Sequence, residues 1–245
     1  MTRRDITIGT EDGSCTAALI GEAVAPHRAG VILFMDAFGP RQALDGMADR
    51  LSKQGYLVLV PDLFYRSGSY GPFNPKTAWT DEHSSSLIKS MLGATSQAMT
   101  QADTKAFIAS LTQAGATGPI GCVGYCMGGG RALNAAAAYL ERIKAAASFH
   151  GGNLANGASD SPAANAAKIK AKVYVGTAGV DGSFPPEQSG RLAQTLRDAE
   201  VDHVIENYVG CAHGWVMPDH SAHHAEGAER HWRRLTTIFA EALTA

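Results

Sequence analysis

An α/β fold, with a mainly parallel central sheet flanked by helices on both faces, is what this sequence predicts. Three observations carry the prediction. Apolar, β-rich runs alternate with amphipathic helical stretches along most of the 245 residues, the order that winds a parallel sheet. Two of the runs, Val31-Ile32-Leu33-Phe34-Met35 and Tyr56-Leu57-Val58-Leu59-Val60, are apolar without a break, as strands covered on both faces are. A glycine-rich turn, Gly124-Tyr125-Cys126-Met127-Gly128, joins a short strand to a helix.

In chain order, Ile6 to Ile8 and Cys15 to Ile20 read as an opening hairpin with Asp12-Gly13 at its turn. The Val31–Met35 strand leads to a helix from about Gln42 to Gln54, with Gly55 as its C-cap. The Tyr56–Val60 strand is stopped by Pro61. From Ser67 to Pro75, repeated Gly, Pro and Ser mark a loop, which with Trp79 is a candidate lid or pocket wall. A helix from about Ser96 to Gln113 precedes the strand Ile120–Val123. Beyond the glycine turn, Arg131 to Ile143 reads as an Ala-rich helix. Ala145–Phe149 and Val173–Gly176 are two more buried strands, separated by a small-residue loop from Gly151 to Pro162. Pro186 opens a helix to about Ala199. His203–Val209 is the last strand, and a helix fills about Ser221 to Leu243. No repeat, low-complexity tract or linker interrupts this rhythm, so one domain over residues 1–245 is expected.

Composition narrows the function classes. Hydrophobic residues make up 45% and charged residues 18%, a globular balance. With a net charge of -2 and no basic stripe, no nucleic-acid partner is expected. No stretch approaches the roughly 18 apolar residues of a membrane helix, so no membrane partner is expected either. The start, Met1-Thr2-Arg3-Arg4-Asp5, lacks the apolar run of a secretory signal. Four scattered cysteines do not make a disulfide scaffold in a chain this long. The expected setting is cytoplasmic, and the expected state a monomer or small homo-oligomer.

The glycine turn has the pattern of a nucleophile elbow with Cys126 in the serine position. Its nucleophile sits on a strained bend, and side chains at Gly124 or Gly128 would strike the neighbouring strand or helix. The bend lifts the sulfur above the sheet edge and aims the Met127 amide at a reacting carbonyl, while the helix N-terminus favours negative charge there. The bland alternative is a buried, inert cysteine beside a glycine turn.

A thiol nucleophile needs a base, and the base an orienting carboxylate. After an elbow these follow in the order acid, then histidine. Asp181 follows the Val173–Gly176 strand, and His213 follows the last strand. Parallel sheets gather such loops at the C-terminal strand ends. Asp160 is the other acid whose loop could reach His213, although only Asp181 directly follows a strand. Of the remaining histidines, His150 stands at a strand end and is expected in the pocket. His223, His224 and His231 fall in the last predicted helix, His220 just precedes it with Asp219 or Ser221 as its N-cap, and His27 and His83 have no strand-end context. Asp36 closes the Val31–Met35 strand and should hang into the crevice, with the Ala37 amide as second oxyanion donor and a turn-capping carboxylate as the plainer alternative. Phe38, Tyr125, His150 and Trp215 are expected to line the crevice. No zinc-like ligand spacing, P-loop or dinucleotide fingerprint is present, so no metal or phosphate-loop cofactor is expected.

The blocks Met35-Asp36-Ala37-Phe38-Gly39, Pro61-Asp62-Leu63-Phe64-Tyr65-Arg66, Gly124-Tyr125-Cys126-Met127-Gly128-Gly129 and Ala212-His213-Gly214, in that order, resemble the dienelactone hydrolases and their relatives. The resemblance implies an α/β-hydrolase fold, a Cys126–His213–Asp181 triad, no cofactor, and a small ester or lactone substrate cleaved through a thioester acyl-enzyme. Two departures stand out. The best-known members carry Glu where this chain has Asp36, and there that carboxylate holds the thiol until substrate binds. They also clasp a substrate carboxylate with two arginines, one in the stretch after Arg66 and one four residues beyond the histidine. Here no Arg lies between Arg66 and Arg131, and the second position is Met217. Without those clamps, a less polar ester, lactone or thioester is expected. A ligand-binding module without turnover and a thiol-based redox or dehalogenase-type enzyme are the rival readings.

Overall fold

The computed structural model of the chain describes residues 2–22 and 28–243; His27 lies outside them. Its eight strands form one sheet in the order β1-β2-β4-β3-β5-β6-β7-β8. The strands are β1 (Arg3–Thr10), β2 (Gly13–Ile20), β3 (Gly30–Phe34), β4 (Leu57–Pro61), β5 (Ile120–Tyr125), β6 (Ile143–Phe149), β7 (Lys172–Val180) and β8 (His203–Ala212). The β1–β2 and β2–β4 pairings are antiparallel, and every pairing from β4 to β8 is parallel. The helices are α1 (Gln42–Ser52), α2 (Glu82–Ala94), α3 (Gln97–Gln113), α4 (Met127–Ala138), α5 (Pro186–Asp198) and α6 (Ala225–Leu243).

Register shows why helices occupy both faces. Gly30 pairs with Ile120, so those two point the same way, and the next residue, Gly121, points the other way. A Cβ on Gly30 would meet Leu111 of α3, and one on Gly121 would meet Leu243 and Phe239 of α6. The sheet is thus sandwiched, and β3, β4 and β5 are buried along their whole length, as their unbroken apolar runs require.

Several boundaries differ from the sequence expectation. The hairpin turn falls on Glu11-Asp12, with Gly13 already in β2. Helix α1 ends at Ser52 with Lys53 as C-cap, ahead of Gly55. Helix α4 starts four residues early, at Met127, and stops at Ala138, so Ile143 belongs to β6 rather than to the helix. The glycines that depress helix propensity are tolerated there because the positions are buried against the sheet. Helix α6 begins at Ala225, leaving His223 and His224 in the preceding turn. Helix α2 was not legible at all. Three consecutive serines weaken its propensity, but Asp81 caps it by accepting from the Ser84 amide, and Ser85, Ile88 and Met91 are buried.

Five parallel strands ending at one edge position the site. Asp36, Cys126, His150, Asp181 and His213 stand one or two residues past the ends of β3, β5, β6, β7 and β8. The sheet brings together side chains spread over 178 positions of sequence, from Asp36 to His213.

Candidate active site

The β5–α4 bend is made by glycines. Cys126 has φ 55 and ψ -120, a strained conformation for a residue with a side chain, costing about 1–3 kcal/mol. The bend is so tight that a Cβ on Gly124 would lie 1.9 Å from the Gly128 carbonyl oxygen, and one on Gly128 would lie 2.5 Å from that of Phe34. Neither position can accept alanine without moving backbone. Cys126 is partly exposed, whereas Cys15, Cys122 and Cys211 are buried.

Cys126 opens onto a cavity of about 520 Å³ whose wall includes Asp36, Ala37, Phe38, Met127, His150, Asp181 and His213. Met127 is the first residue of α4, where helix amides lack an intrahelical acceptor. Ala37 faces the same space from the β3 end.

His213 Nδ1 lies 2.7 Å from Asp181 Oδ2. With that nitrogen turned to the carboxylate, Nε2 is left for the sulfur. Asp181 is fixed on its other oxygen by Ser183, whose amide donates at 2.9 Å and whose hydroxyl donates at 2.6 Å. The Ser183 hydroxyl is also 3.3 Å from His213 Nδ1. Burial works against the imidazolium, but hydrogen bonding to Asp181 and Cys126 outweighs it and pushes the His213 pKa up to about 10. Burial likewise raises Asp181, and the bonds from His213 and Ser183 overcome it, so the carboxyl sits below its ordinary range. Asp160, the other candidate acid, is elsewhere: its main-chain oxygen accepts from Asn134.

His150 occupies the opposite environment. It is buried with φ 40, and its Nδ1 accepts the Cys126 amide at 3.1 Å. That bond places the proton on Nε2, which has no partner. Burial first, and then the nearby His213, His231 and His220, hold its pKa well below the ordinary value.

Two expected pocket residues do not reach the cavity. Tyr125 and Trp215 are completely buried behind His150, with ring centroids 6.0 and 5.2 Å from it. Their alternation on the strand and the tight turn after His213 send them inward. Tyr125 instead meets buried His231, hydroxyl to Nε2 at 3.0 Å. Phe38 does line the cavity, its ring tilted against those of Trp79 and His220 at centroid distances of 5.8 and 5.9 Å. Of the suspected lid, Trp79 lies on the cavity wall, while Gly68 to Phe73 walls a neighbouring pocket beside Phe38.

Asp36 lines the cavity, yet its oxygens are engaged by Arg41 at 2.6 and 2.9 Å and by the Phe38 amide at 3.1 Å. Arg41 also grips Asp219 at 2.6 and 3.1 Å, tying the β3 loop to the loop that follows His213. Ser183, Arg41, Gln97 and Arg131 were not singled out in the sequence; they sit in loops or helix starts, where no periodicity or motif marks a function. Among the described residues, no cluster of three His, Cys, Asp or Glu side chains could hold a metal ion, and no helix is long and apolar enough to cross a membrane.

Comparison with known proteins identifies the family and the fold. The family model of the dienelactone hydrolase family matches residues 16–243. A Synechocystis sp. protein provisionally named a carboxymethylenebutenolidase is 27% identical over 214 residues, covering 85% of this chain and 84% of its own. The carboxymethylenebutenolidase of Pseudomonas putida is 28% identical over 144 residues, 58% of this chain and 59% of its own. Among solved structures, the dienelactone hydrolase-like promiscuous phosphotriesterase P91 from metagenomic libraries superimposes with a TM-score of 0.81 at 24% identity, covering 99% of each chain.

Proposed function

The chain belongs to the dienelactone hydrolase family, and from that premise we propose that it hydrolyses a small ester or lactone with Cys126 as nucleophile. The observation that carries the reading is the partly exposed thiol at a glycine-forced bend, facing a histidine held by a buried carboxylate. The proton of the Cys126 thiol resides on His213, whose raised pKa favours the imidazolium, and Asp181 stabilises that cation. The thiolate attacks the carbonyl carbon. The Met127 and Ala37 amides receive the oxyanion, each contributing on the order of 3 kcal/mol to barrier lowering. Collapse of the adduct expels the alcohol, which takes the proton back from His213 and leaves a thioester on Cys126. Water, deprotonated by His213, then hydrolyses that thioester and regenerates the thiol.

Asp36 has a different part from the thiol-holding Glu of the best-known members. Its ion pair with Arg41 turns it away from that task, and it acts as a positioning residue for the loop that carries Ala37. The test is turnover of a p-nitrophenyl ester panel by the wild type and by Cys126→Ala. The reading expects nitrophenol release from the wild type alone, with Cys126→Ala still unfolding in one cooperative thermal transition. Equal release from Cys126→Ala would overturn it.

A further inference from the structure

The loop between β8 and α6 is a run of tight turns. The Trp215, Met217, His220 and His223 amides donate to the Ala212, Gly214, Met217 and His220 carbonyls, and the His224 amide returns to the Trp215 carbonyl. Arg41 fastens the loop from outside through Asp219. Within it, His220 is half-buried and lines the cavity of Cys126 beside Phe38, Trp79 and Met217.

The backbone makes room for its ring. Gly214, the residue after His213, has a φ of +90°, and a Cβ there would lie 3.0, 3.1 and 3.2 Å from Nδ1, Cε1 and Cγ of His220. Both the left-handed backbone and the contact call for glycine. The Ala222 amide donates to His220 Nδ1 at 3.0 Å, so in the neutral ring the proton is on Nε2. Burial holds the His220 pKa below its ordinary value; His213 and Arg41 act with it, and Asp36 and Asp219 against it. The ring is therefore neutral at neutral pH. Since Nδ1, Cε1 and Cγ are turned to Gly214, the Nε2 edge is on the far side, and among the described residues nothing accepts from it.

The other two imidazoles of the cavity offer no such donor. His213 engages Asp181 with one nitrogen and Cys126 with the other, and the free nitrogen of His150 is sealed from solvent. We infer that His220 is a specificity-determining residue whose Nε2–H donates to an uncharged acceptor oxygen of the substrate, held against the Phe38 and Trp79 rings. The inference rests on the hydrolase reading, which makes the cavity a substrate site, and extends it to a substrate class. That class is a neutral ester or lactone carrying a second oxygen of ether or alkoxy type. A methylene in that place would leave the N–H without a partner, which is how such a site rejects the wrong substrate.

Two ester pairs test this: p-nitrophenyl methoxyacetate against butanoate, and 4-methoxybutanoate against hexanoate. Within each pair an oxygen replaces a methylene, and the difference in intrinsic reactivity cancels when variants are compared. The ratio of kcat/KM, ether over alkyl, is measured in the wild type, His220→Asn, His220→Phe and His220→Gln, with thermal unfolding to check folding. Asn keeps an acceptor for the Ala222 amide but stops short of the Nε2 position, Phe keeps a ring without a donor, and Gln restores an amide N–H. In at least one pair the ratio should fall at least about fivefold in His220→Asn and His220→Phe, the scale of one neutral hydrogen bond. The fall should lie mostly in KM, and His220→Gln should recover most of it. Proton–nitrogen NMR of the imidazole rings reads binding without turnover, using the corresponding N-methyl amides. The Nε2 signal of His220, identified by its loss in His220→Asn, should move with an ether amide and not with its alkyl partner. Unchanged ratios in both pairs, or an Nε2 signal that responds to ether and alkyl amides alike or to neither, would overturn the inference. A selective Nε2 shift with no turnover of any ester would sink the hydrolase reading and leave the donor role standing; turnover with unchanged ratios would do the reverse.

Discussion

Two imidazoles stand 5.0 Å apart on the same cavity wall, His150 and His213, and the protein drives them in opposite directions. Both suffer desolvation, which alone would make either neutral. His213 has a carboxylate on one nitrogen and a thiol on the other, and rises to about 10. His150 has a backbone amide on one nitrogen and nothing on the other, and falls. Position at a strand end therefore places a histidine in the site, but its partners decide whether it can carry a proton. His213 is the acid–base group; His150 is a neutral brace that orients the nucleophile's own backbone.

Substitutions rank the parts of that contrast. Cys126→Ala should lower kcat roughly a million-fold, the scale of losing a triad nucleophile. Asp181→Asn keeps the shape but removes the charge that holds the His213 tautomer, and kcat should fall on the order of ten thousand-fold. His150→Asn tolerates the left-handed backbone yet removes the ring acceptor. The Cys126 amide still reaches the Phe149 carbonyl at 3.2 Å, so the loss should be only about 1 kcal/mol. Ser183→Ala should be the mildest, tenfold or less in kcat, because Asp181 keeps the Ser183 amide and His213. A His150 variant as crippled as Asp181→Asn would erase the distinction between the two imidazoles.

The same contrast sets opposite pH dependences of stability. His213 binds its proton more tightly folded than at its ordinary value of 6.5, so its contribution is full below about pH 6.5 and is lost as pH rises through about 10. His150 and His231 are held neutral by burial, and His231 falls to about 3. Their contribution is present above the ordinary value and is lost as pH falls, because only the unfolded chain can then take up their protons. Thermal unfolding followed across pH should show both limbs, and Cys126→Ala should weaken the alkaline one by removing a partner of His213. An alkaline limb unchanged in Cys126→Ala would contradict the thiol–imidazole coupling.

The elbow was legible because its glycines answer a steric demand that no other residue meets, and the resemblance fell on the same residues. Asp181 and His213 were legible as strand-end residues in the right order, and the sheet does bring them within hydrogen-bonding distance. Depth was harder to read. Tyr125 and Trp215 neighbour site residues in sequence, but the bend of the chain turns them behind the wall. Contacts between distant loops were not legible at all. The Arg41 bridge joins Asp36 to Asp219, which lies 178 positions beyond Arg41, and nothing in either local sequence announces it. His220 hid for another reason: it reads as a residue ahead of the last helix, and only the turn at Gly214 brings it onto the cavity wall.

The most direct test of thiol catalysis is intact-protein mass spectrometry after brief mixing with p-nitrophenyl esters, followed by peptide mapping. The account predicts a single acyl adduct on Cys126, formed with a matching burst of nitrophenol and removed with time by hydrolysis. Nitrophenol release with no adduct on Cys126, in a protein whose Cys126 still alkylates fully, would contradict it.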